Sequence, residues 1–185
     1  MIVSSSRSRR GRDDDAFRNS RDRVPVHAVT ESELHIRPYR EADRSQIVAL
    51  WRLVFAGDPP WNEPDDVIDR KRSVQADLFH VGVLGDRVVG TALAGFDGVR
   101  GWIHHLAVAP EFRRRGIASL LMDRVEESLL DMGCPKLNLQ VRRSNAAVLA
   151  FYERRGHVVD DVISLGKPLG RWRRDGRVGP DGDGG

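Results

Sequence analysis

The sequence has 185 residues, of which 40% are hydrophobic and 31% are charged, so it fits one domain of ordinary size with a sizeable core. The chain contains no run near the roughly 20 apolar residues that a membrane helix needs, which excludes a spanning protein. The lone cysteine, Cys134, excludes an internal disulfide and a multi-cysteine zinc site, so we expect no metal. The N-terminus lacks the apolar core of a signal peptide, and a cytoplasmic protein is therefore expected.

The net charge of +3 originates in the two ends of the chain. Residues 1–30 hold seven Arg and four Asp, and residues 170–185 hold four Arg and three Asp. Both ends are poor in large apolar groups and are predicted to be disordered tails, the second one Gly-rich. The remaining 31–169 form the predicted folded domain, with 19 basic and 20 acidic residues. A nucleic-acid-binding domain needs a basic folded surface, so this balance argues against nucleic acid as a partner.

The first half of the domain mixes helical and strand patterns. Apolar residues at helical spacing predict a helix over 42–55, with Asp43 as its N-cap. Pro64 begins a second predicted helix that ends near Gln75. Stretches with strand patterns, most of them bounded by turn residues, predict four strands. These strands cover 35–38, 78–84, 87–96 and 101–109.

Helices and strands alternate in the second half. An amphipathic helix is predicted over 116–132 and is ended by Gly133, and another is predicted over 145–155 and is closed by Gly156. Two further strands are predicted, over 136–141 and 157–165. Strands that alternate with helices pair in parallel through crossovers, so we predict an α/β fold with a mixed central sheet flanked by helices.

A basic loop precedes the long amphipathic helix. Arg113, Arg114 and Arg115 lead into Gly116, and the small residue Ala118 follows in the first helical turn. The first turn of a helix has amides without intrahelical partners and the positive end of the helix dipole. This geometry suits a pyrophosphate, although the same pattern also fits a surface arginine cluster that caps a turn.

Two motifs resemble those of the GNAT N-acetyltransferases. Arg113-x-x-Gly116-x-Ala118 is similar to the acetyl-CoA signature of that family, and the stretch from Asn145 through Tyr152 to Gly156 is similar to its second signature. The order of the two motifs, with one helix and one strand between them, is much more specific than either motif alone.

The resemblance covers about residues 34–169 and implies the GNAT acyl-CoA N-acyltransferase fold, in which two parallel central strands separate in a V. Here these strands would be 101–109 and 136–141. Three short stretches resemble more narrowly the YpeA-like group of bacterial GNAT proteins. They are Pro60-Trp61-Asn62, Gly133-Cys134-Pro135-Lys136 and Ser164-Leu165-Gly166-Lys167.

The resemblance implies that acetyl-CoA is the co-substrate. The backbone of one central strand would pair with the pantetheine arm, the amides of the basic loop would bind the pyrophosphate, and Asn145 would contact the arm. The implied cofactor-binding residues are Leu106, Ala107, Val108, Arg113, Arg114, Arg115, Gly116, Ile117, Ala118, Ser119 and Asn145.

Acetyl transfer to an amine needs a base, an oxyanion donor and an acid for the thiolate. Tyr152 matches the family position that often supplies the acid, and its alternative role is that of a core tyrosine. His104 and His105 are candidates for the base or for ordinary packing, and strand alternation predicts that at most one of them faces the acceptor. Glu63 and Asp97 are reserve carboxylates on loops.

The resemblance therefore implies an acetyltransferase that moves the acetyl group by direct attack to a primary amine, on a small molecule or a protein N-terminus. Direct transfer gives Cys134 no role as a nucleophile. The alternative is a non-catalytic acyl-CoA-binding sensor or partner module with the same fold. Trp61 would gate the acceptor or anchor its loop, and the sequence leaves a homodimer as an open expectation.

Overall fold

The computed structural model describes residues 34–169, so the tails predicted at 1–30 and 170–185 lie outside the described residues. The strands of this range are β1 (Leu34–Pro38), β2 (Phe79–Leu84), β3 (Arg87–Phe96), β4 (Gly101–Val108) and β5 (Leu137–Asn138). The helices are α1 (Arg44–Val54), α2 (Pro64–Ser73), α3 (Ile117–Asp131) and α4 (Ala146–Arg154). None of these helices has the length and apolarity to cross a membrane.

The strands form one sheet in the order β1-β2-β3-β4-β5. The first three neighbouring pairs are antiparallel, and β4 pairs with β5 in parallel. Only Gly101 with Leu137 and Trp102 with Asn138 are paired across that parallel step. This arrangement confirms the predicted α/β fold with a mixed central sheet.

One face of the sheet is covered by α1 and α2. The stripe of Ile47, Leu50 and Trp51 on α1 is buried there, as the helical period predicts. Ile68 of α2 joins the same apolar cluster, which also contains Leu93 of β3. Helices α1 and α2 therefore pack on the same face of the sheet.

The opposite face is covered mainly by α3. The buried stripe of α3 comprises Ile117, Leu121, Met122, Val125 and Leu129. Tyr152 of α4 belongs to the same cluster. Gly90 of β3 allows this close approach, because a Cβ there would lie 2.9 Å from the Ala107 carbonyl oxygen and 3.0 Å from Leu121 Cδ1.

Cys134 packs against Gly101, the first residue of β4. Its side chain is 8% exposed, and its thiol donates to the Lys136 carbonyl at 3.4 Å. A Cβ at Gly101 would lie 2.8 Å from the Cys134 sulfur, so the two residues share one tight contact. This environment agrees with a structural cysteine.

Two predicted strands differ from the structure. The strand predicted over 136–141 is paired only at Leu137 and Asn138, and 157–165 form no strand within the described residues. The apolar pattern of 157–165 predicted a strand, but a strand also needs a hydrogen-bonded neighbour. Within residues 34–169, this segment forms side-chain hydrogen bonds with the region of β5, between Lys136 and Asp160 and between Gln140 and Ser164.

Asp43 is the N-cap residue of α1, as predicted, but its side chain does not cap the helix. Helix α1 begins after Asp43, but the carboxylate makes no capping bond to the helix. Instead it accepts bonds of 2.7 and 2.8 Å from the Arg37 guanidinium and one of 2.8 Å from the Arg40 amide. The buried Asp43 thus ties β1 to α1.

Candidate active site

The parallel strands separate after two residue pairs. Beyond Trp102, the edge of β4 that faces β5 has no strand partner among residues 34–169. This open edge includes Leu106, Ala107 and Val108, the residues predicted to pair with the pantetheine arm. An unpaired strand edge offers backbone groups to an extended ligand.

The open edge leads directly into the basic loop. A 3-10 turn at Pro110–Phe112 follows β4, and Arg113 Nε donates back to the Val108 carbonyl at 3.1 Å. The Arg115 guanidinium lies 5.3 Å from the centre of the Phe112 ring. All three loop arginines are exposed, and none has an ion-pair partner in the described part of the chain.

Gly116 is the N-cap of α3 and has φ +80, a left-handed conformation that favours glycine. A Cβ at this position would have no atom within 4 Å, so the space above it is open. The first intrahelical bond there runs from the Leu120 amide to the Gly116 carbonyl. The amides of Ile117, Ala118 and Ser119 therefore point out of the first turn beside the three arginines, as an anion site requires.

A β-bulge interrupts β4 at the two histidines. Thr91 pairs with Ala107 and Leu93 pairs with His104, so β4 has one more residue than β3 over this stretch. His105 has φ +49, which is rare for a residue other than glycine. The bulge brings His104 and His105 to the same face, and the prediction from strand alternation that they face opposite ways is wrong.

The His105 imidazole is held by aromatic rings. Its centre lies 4.7 Å from that of Trp51 and 5.1 Å from that of Phe55. Its buried Nδ1 has no hydrogen-bond partner in the structure. Burial lowers the pKa of His105 to about 4, so the ring is neutral at pH 7. The pKa of His104 is also lowered, mainly by burial and secondly by the positive charge of Lys71.

Both histidines line a cavity of about 580 Å³. Helix α2 and its C-cap residue form one wall with Val67, Arg70, Lys71 and Val74, and residues of β3 and β4 form the other. The volume is in the range of small-molecule sites. The cavity lies on the α1 and α2 face, so it is a candidate acceptor site.

Tyr152 lies on the other face of the sheet, in one apolar cluster with Leu106 and Val108. Its ring packs edge-on against Phe151 and His157, with centres at 5.1 and 5.3 Å. Burial raises the pKa of Tyr152 to about 12, which keeps the phenol protonated at neutral pH. The predicted acid and the predicted bases therefore lie on opposite faces of the sheet.

The remaining predicted residues have structural partners. Asn145 is the N-cap of α4, and its side-chain oxygen accepts from the Val148 amide at 3.3 Å. Glu63 is paired with Arg52 at 2.6 Å. Asp97 accepts from two backbone amides of the β3–β4 turn.

The cavity also contains two cations that were not predicted from the residue pattern, Arg70 and Lys71. The helical spacing of Val67, Lys71 and Val74 could have indicated that Lys71 shares a face with two apolar residues. No group of three or more metal-ligating His, Cys, Asp or Glu side chains occurs within the described range.

The sequence model of the acetyltransferase (GNAT) family matches residues 44–157 of the chain. The fold is similar to that of Ard1 from Thermoplasma volcanium, with a TM-score of 0.63 and 20% identity over 80% of this chain and 99% of that chain. It is also similar to the aminoglycoside N-acetyltransferase AAC(6')-Iy in complex with CoA, with a TM-score of 0.60 and 19% identity over 74% of this chain and 95% of that one.

The same enzyme in complex with the bisubstrate analogue CoA-S-monomethyl-acetylneamine gives a TM-score of 0.60 at 20% identity, over 74% of this chain and 99% of that chain. The family match spans the open edge, the basic loop and α4. The chain is therefore a member of the GNAT acetyltransferase family and an acyltransferase.

Proposed function

We propose that the protein is an acetyl-CoA-dependent N-acetyltransferase that moves the acetyl group to a primary amine by direct attack. The observation that carries the proposal is the open edge of β4. One end of this edge meets the cationic start of α3, and its bulge borders the cavity that contains His104 and His105. Donor and acceptor sites therefore meet along one strand.

The residues of the donor side fit coenzyme A. The unpaired backbone of Leu106 to Val108 can pair with the amides of the pantetheine arm. The outward amides of Ile117 to Ser119 and the three loop arginines suit the pyrophosphate. Gly116 leaves open space where a side chain would block that approach.

Acetyl-CoA, when bound, supplies an electrophilic thioester. The chain must remove a proton from the amine, since a free alkylamine is mostly protonated near neutral pH. His105 and His104 are the proposed acceptors of this proton, directly or through water. Burial lowers the pKa of both rings, to about 4 for His105, so both are unprotonated at pH 7 and are weaker bases than a free imidazole. A backbone amide of Leu106 to Val108 is the proposed donor to the oxyanion.

Tyr152 is the proposed acid for the leaving thiolate. Its phenol stays protonated at neutral pH, and it lies on the face where Leu106 and Val108 contribute to the donor side. Asn145 caps α4 through its side-chain oxygen, and its amide nitrogen is the proposed donor to the arm.

A screen of CoA release tests the proposal. The purified full chain is mixed with acetyl-CoA and a panel of amines and N-terminal peptides, and the acetylated product is identified by mass spectrometry. We expect amine-dependent release that disappears in Gly116→Glu. CoA binding without transfer to any amine would instead fit the non-catalytic acyl-CoA sensor. Membership in the YpeA-like group of GNAT proteins remains a separate prediction.

A further inference from the structure

The cavity carries two cations without acidic partners. Arg70 and Lys71 both line it, and neither forms an ion pair within residues 34–169. Lys71 Nζ donates to the Ala94 carbonyl at 2.5 Å, and Arg70 donates to the Trp61 carbonyl at 2.6 Å. Burial lowers the pKa of Lys71 to about 8, so it stays mostly protonated at pH 7.

The carboxylates around the cavity are already engaged. Asp97 is the acidic residue of the lining, and its Oδ1 accepts from the Val99 and Arg100 amides at 2.8 and 2.7 Å. In the neighbouring loop, Asp58 bonds with Arg142 at 2.8 Å and with Asn62 at 3.2 Å. Glu63 is paired with Arg52 at 2.6 Å.

The lining therefore carries a net positive charge, with Arg70 and Lys71 against Asp97 and both histidines neutral at pH 7. A cation held partly out of water is stabilised by an anion that bonds to it. A second ammonium on the acceptor would be repelled by Arg70 and Lys71, and Asp97 is the single lining carboxylate that could oppose them within the described residues.

We propose that the acceptor is a small amine that also carries an acidic group, of the amino-acid type, and that Lys71 and Arg70 bind this group. The inference rests on the proposed function and narrows its substrate class. The same two cations favour the neutral form of the bound amine, because a nearby positive charge disfavours an ammonium. They thereby assist the deprotonation assigned to His104 or His105.

Three amines of similar length test the charge preference. γ-Aminobutyrate, n-butylamine and putrescine have a carboxylate, a methyl group and an ammonium, respectively, at the end opposite the reacting amine. We expect kcat/KM to fall in that order, with roughly a tenfold to hundredfold step from the first to the second, as one charge-assisted hydrogen bond supplies. O-Phosphoethanolamine distinguishes a phosphate-bearing acceptor from a carboxylate-bearing one.

Substitutions of Lys71 and Arg70 test whether these two cations cause the preference for a carboxylate-bearing amine. Lys71→Met and Arg70→Gln should each reduce the advantage of γ-aminobutyrate roughly tenfold, and Arg70→Glu, at an exposed position, should favour putrescine. Arg72→Gln is the matched control, because Arg72 lies on the same helix, outside the cavity lining, and pairs with Glu41. It should leave the order unchanged.

Two readouts separate this inference from the proposed function. A chain that fails to bind acetyl-CoA contradicts the proposed function, whereas equal turnover of the three amines, or preference for putrescine, contradicts only the acidic acceptor. If none is turned over, the same amines are titrated into the CoA-bound chain. Tighter binding of γ-aminobutyrate supports the inference, and any other order overturns it.

Discussion

The indole Nε1 of Trp51 donates a buried hydrogen bond of 2.8 Å to Oγ1 of Thr91. The Thr91 hydroxyl in turn donates to the His105 carbonyl at 3.1 Å. These two bonds connect α1 through β3 to the bulge of β4, where His105 has its positive φ. They hold His105, the residue of β4 with a positive φ, at the bulge that borders the proposed acceptor site.

Replacing Thr91 with Val should therefore loosen the bulge. The substitution leaves the buried Trp51 Nε1 without an acceptor, and we expect a loss of about 1–3 kcal/mol in the free energy of unfolding, measured in urea. We also expect a lower kcat. Thr91→Ser keeps the hydroxyl and should retain kcat, so equal kcat values in the two variants would contradict this role.

Stability should fall in mild acid. His80 is 2% exposed, and burial lowers its pKa and that of His105 to about 4. The unfolded chain protonates both near pH 6.5, whereas the folded chain keeps them neutral. The unfolded state therefore binds more protons, and stability is lost from about pH 6.5 down to about pH 4, by at most about 1.4 kcal/mol per pH unit for each ring.

Urea unfolding between pH 7 and pH 5 measures this slope. His80→Gln can keep a bond to Ser128, which lies 3.3 Å from His80 Nε2, and should flatten the slope. His35→Gln, on an exposed position of β1, is the control and should leave it unchanged. Identical slopes for wild type and His80→Gln would show that His80 does not contribute to the loss of stability in acid.

Tyr152→Phe should lower kcat about a hundredfold and leave the affinity for acetyl-CoA nearly unchanged, because a general acid acts in the transition state. The other tyrosine of the sequence is the matched control. Tyr39 bonds to Glu41 at 2.9 Å, away from the sheet split, and Tyr39→Phe should retain full kcat. Wild-type turnover in Tyr152→Phe would assign the phenol to packing alone.

The loop arginines should contribute to donor affinity. Arg114→Ala and Arg115→Ala are expected to raise KM for acetyl-CoA several-fold, and the effect should shrink in high salt because both side chains are exposed. Arg124→Ala, on the exposed surface of α3, removes an arginine that pairs with Glu127 and should leave KM unchanged. A KM change of the same size in all three variants would indicate a general charge effect.

The fold was predictable where burial and periodicity coincide. The apolar stripe around Trp51 and the one around Val125 identified α1 and α3, because each stripe covers one face of the sheet. Gly116 was identifiable from its place before a long amphipathic helix, and its positive φ explains the glycine.

The bulge was not predictable from the residue pattern. Strand alternation assumes a regular ladder, and an inserted residue at His105 moves it to the face of His104. The length of β5 was also unpredictable, because Leu139 and Val141 fit a strand whether or not a neighbour is present. Lys71 resembled an ordinary surface lysine, and only the packing of α2 on β3 places it in the cavity.

The central claim is that coenzyme A binds with its phosphates at the start of α3. Calorimetric titration of acetyl-CoA into the full chain, into Gly116→Ala and into Gly116→Glu tests it most directly. Both variants place a side chain at φ +80, but only Glu adds a carboxylate beside the pyrophosphate. The account predicts weakened binding in Gly116→Ala and none measurable in Gly116→Glu, with Gly133→Glu at the other end of α3 unaffected. Wild-type affinity in Gly116→Glu would contradict it.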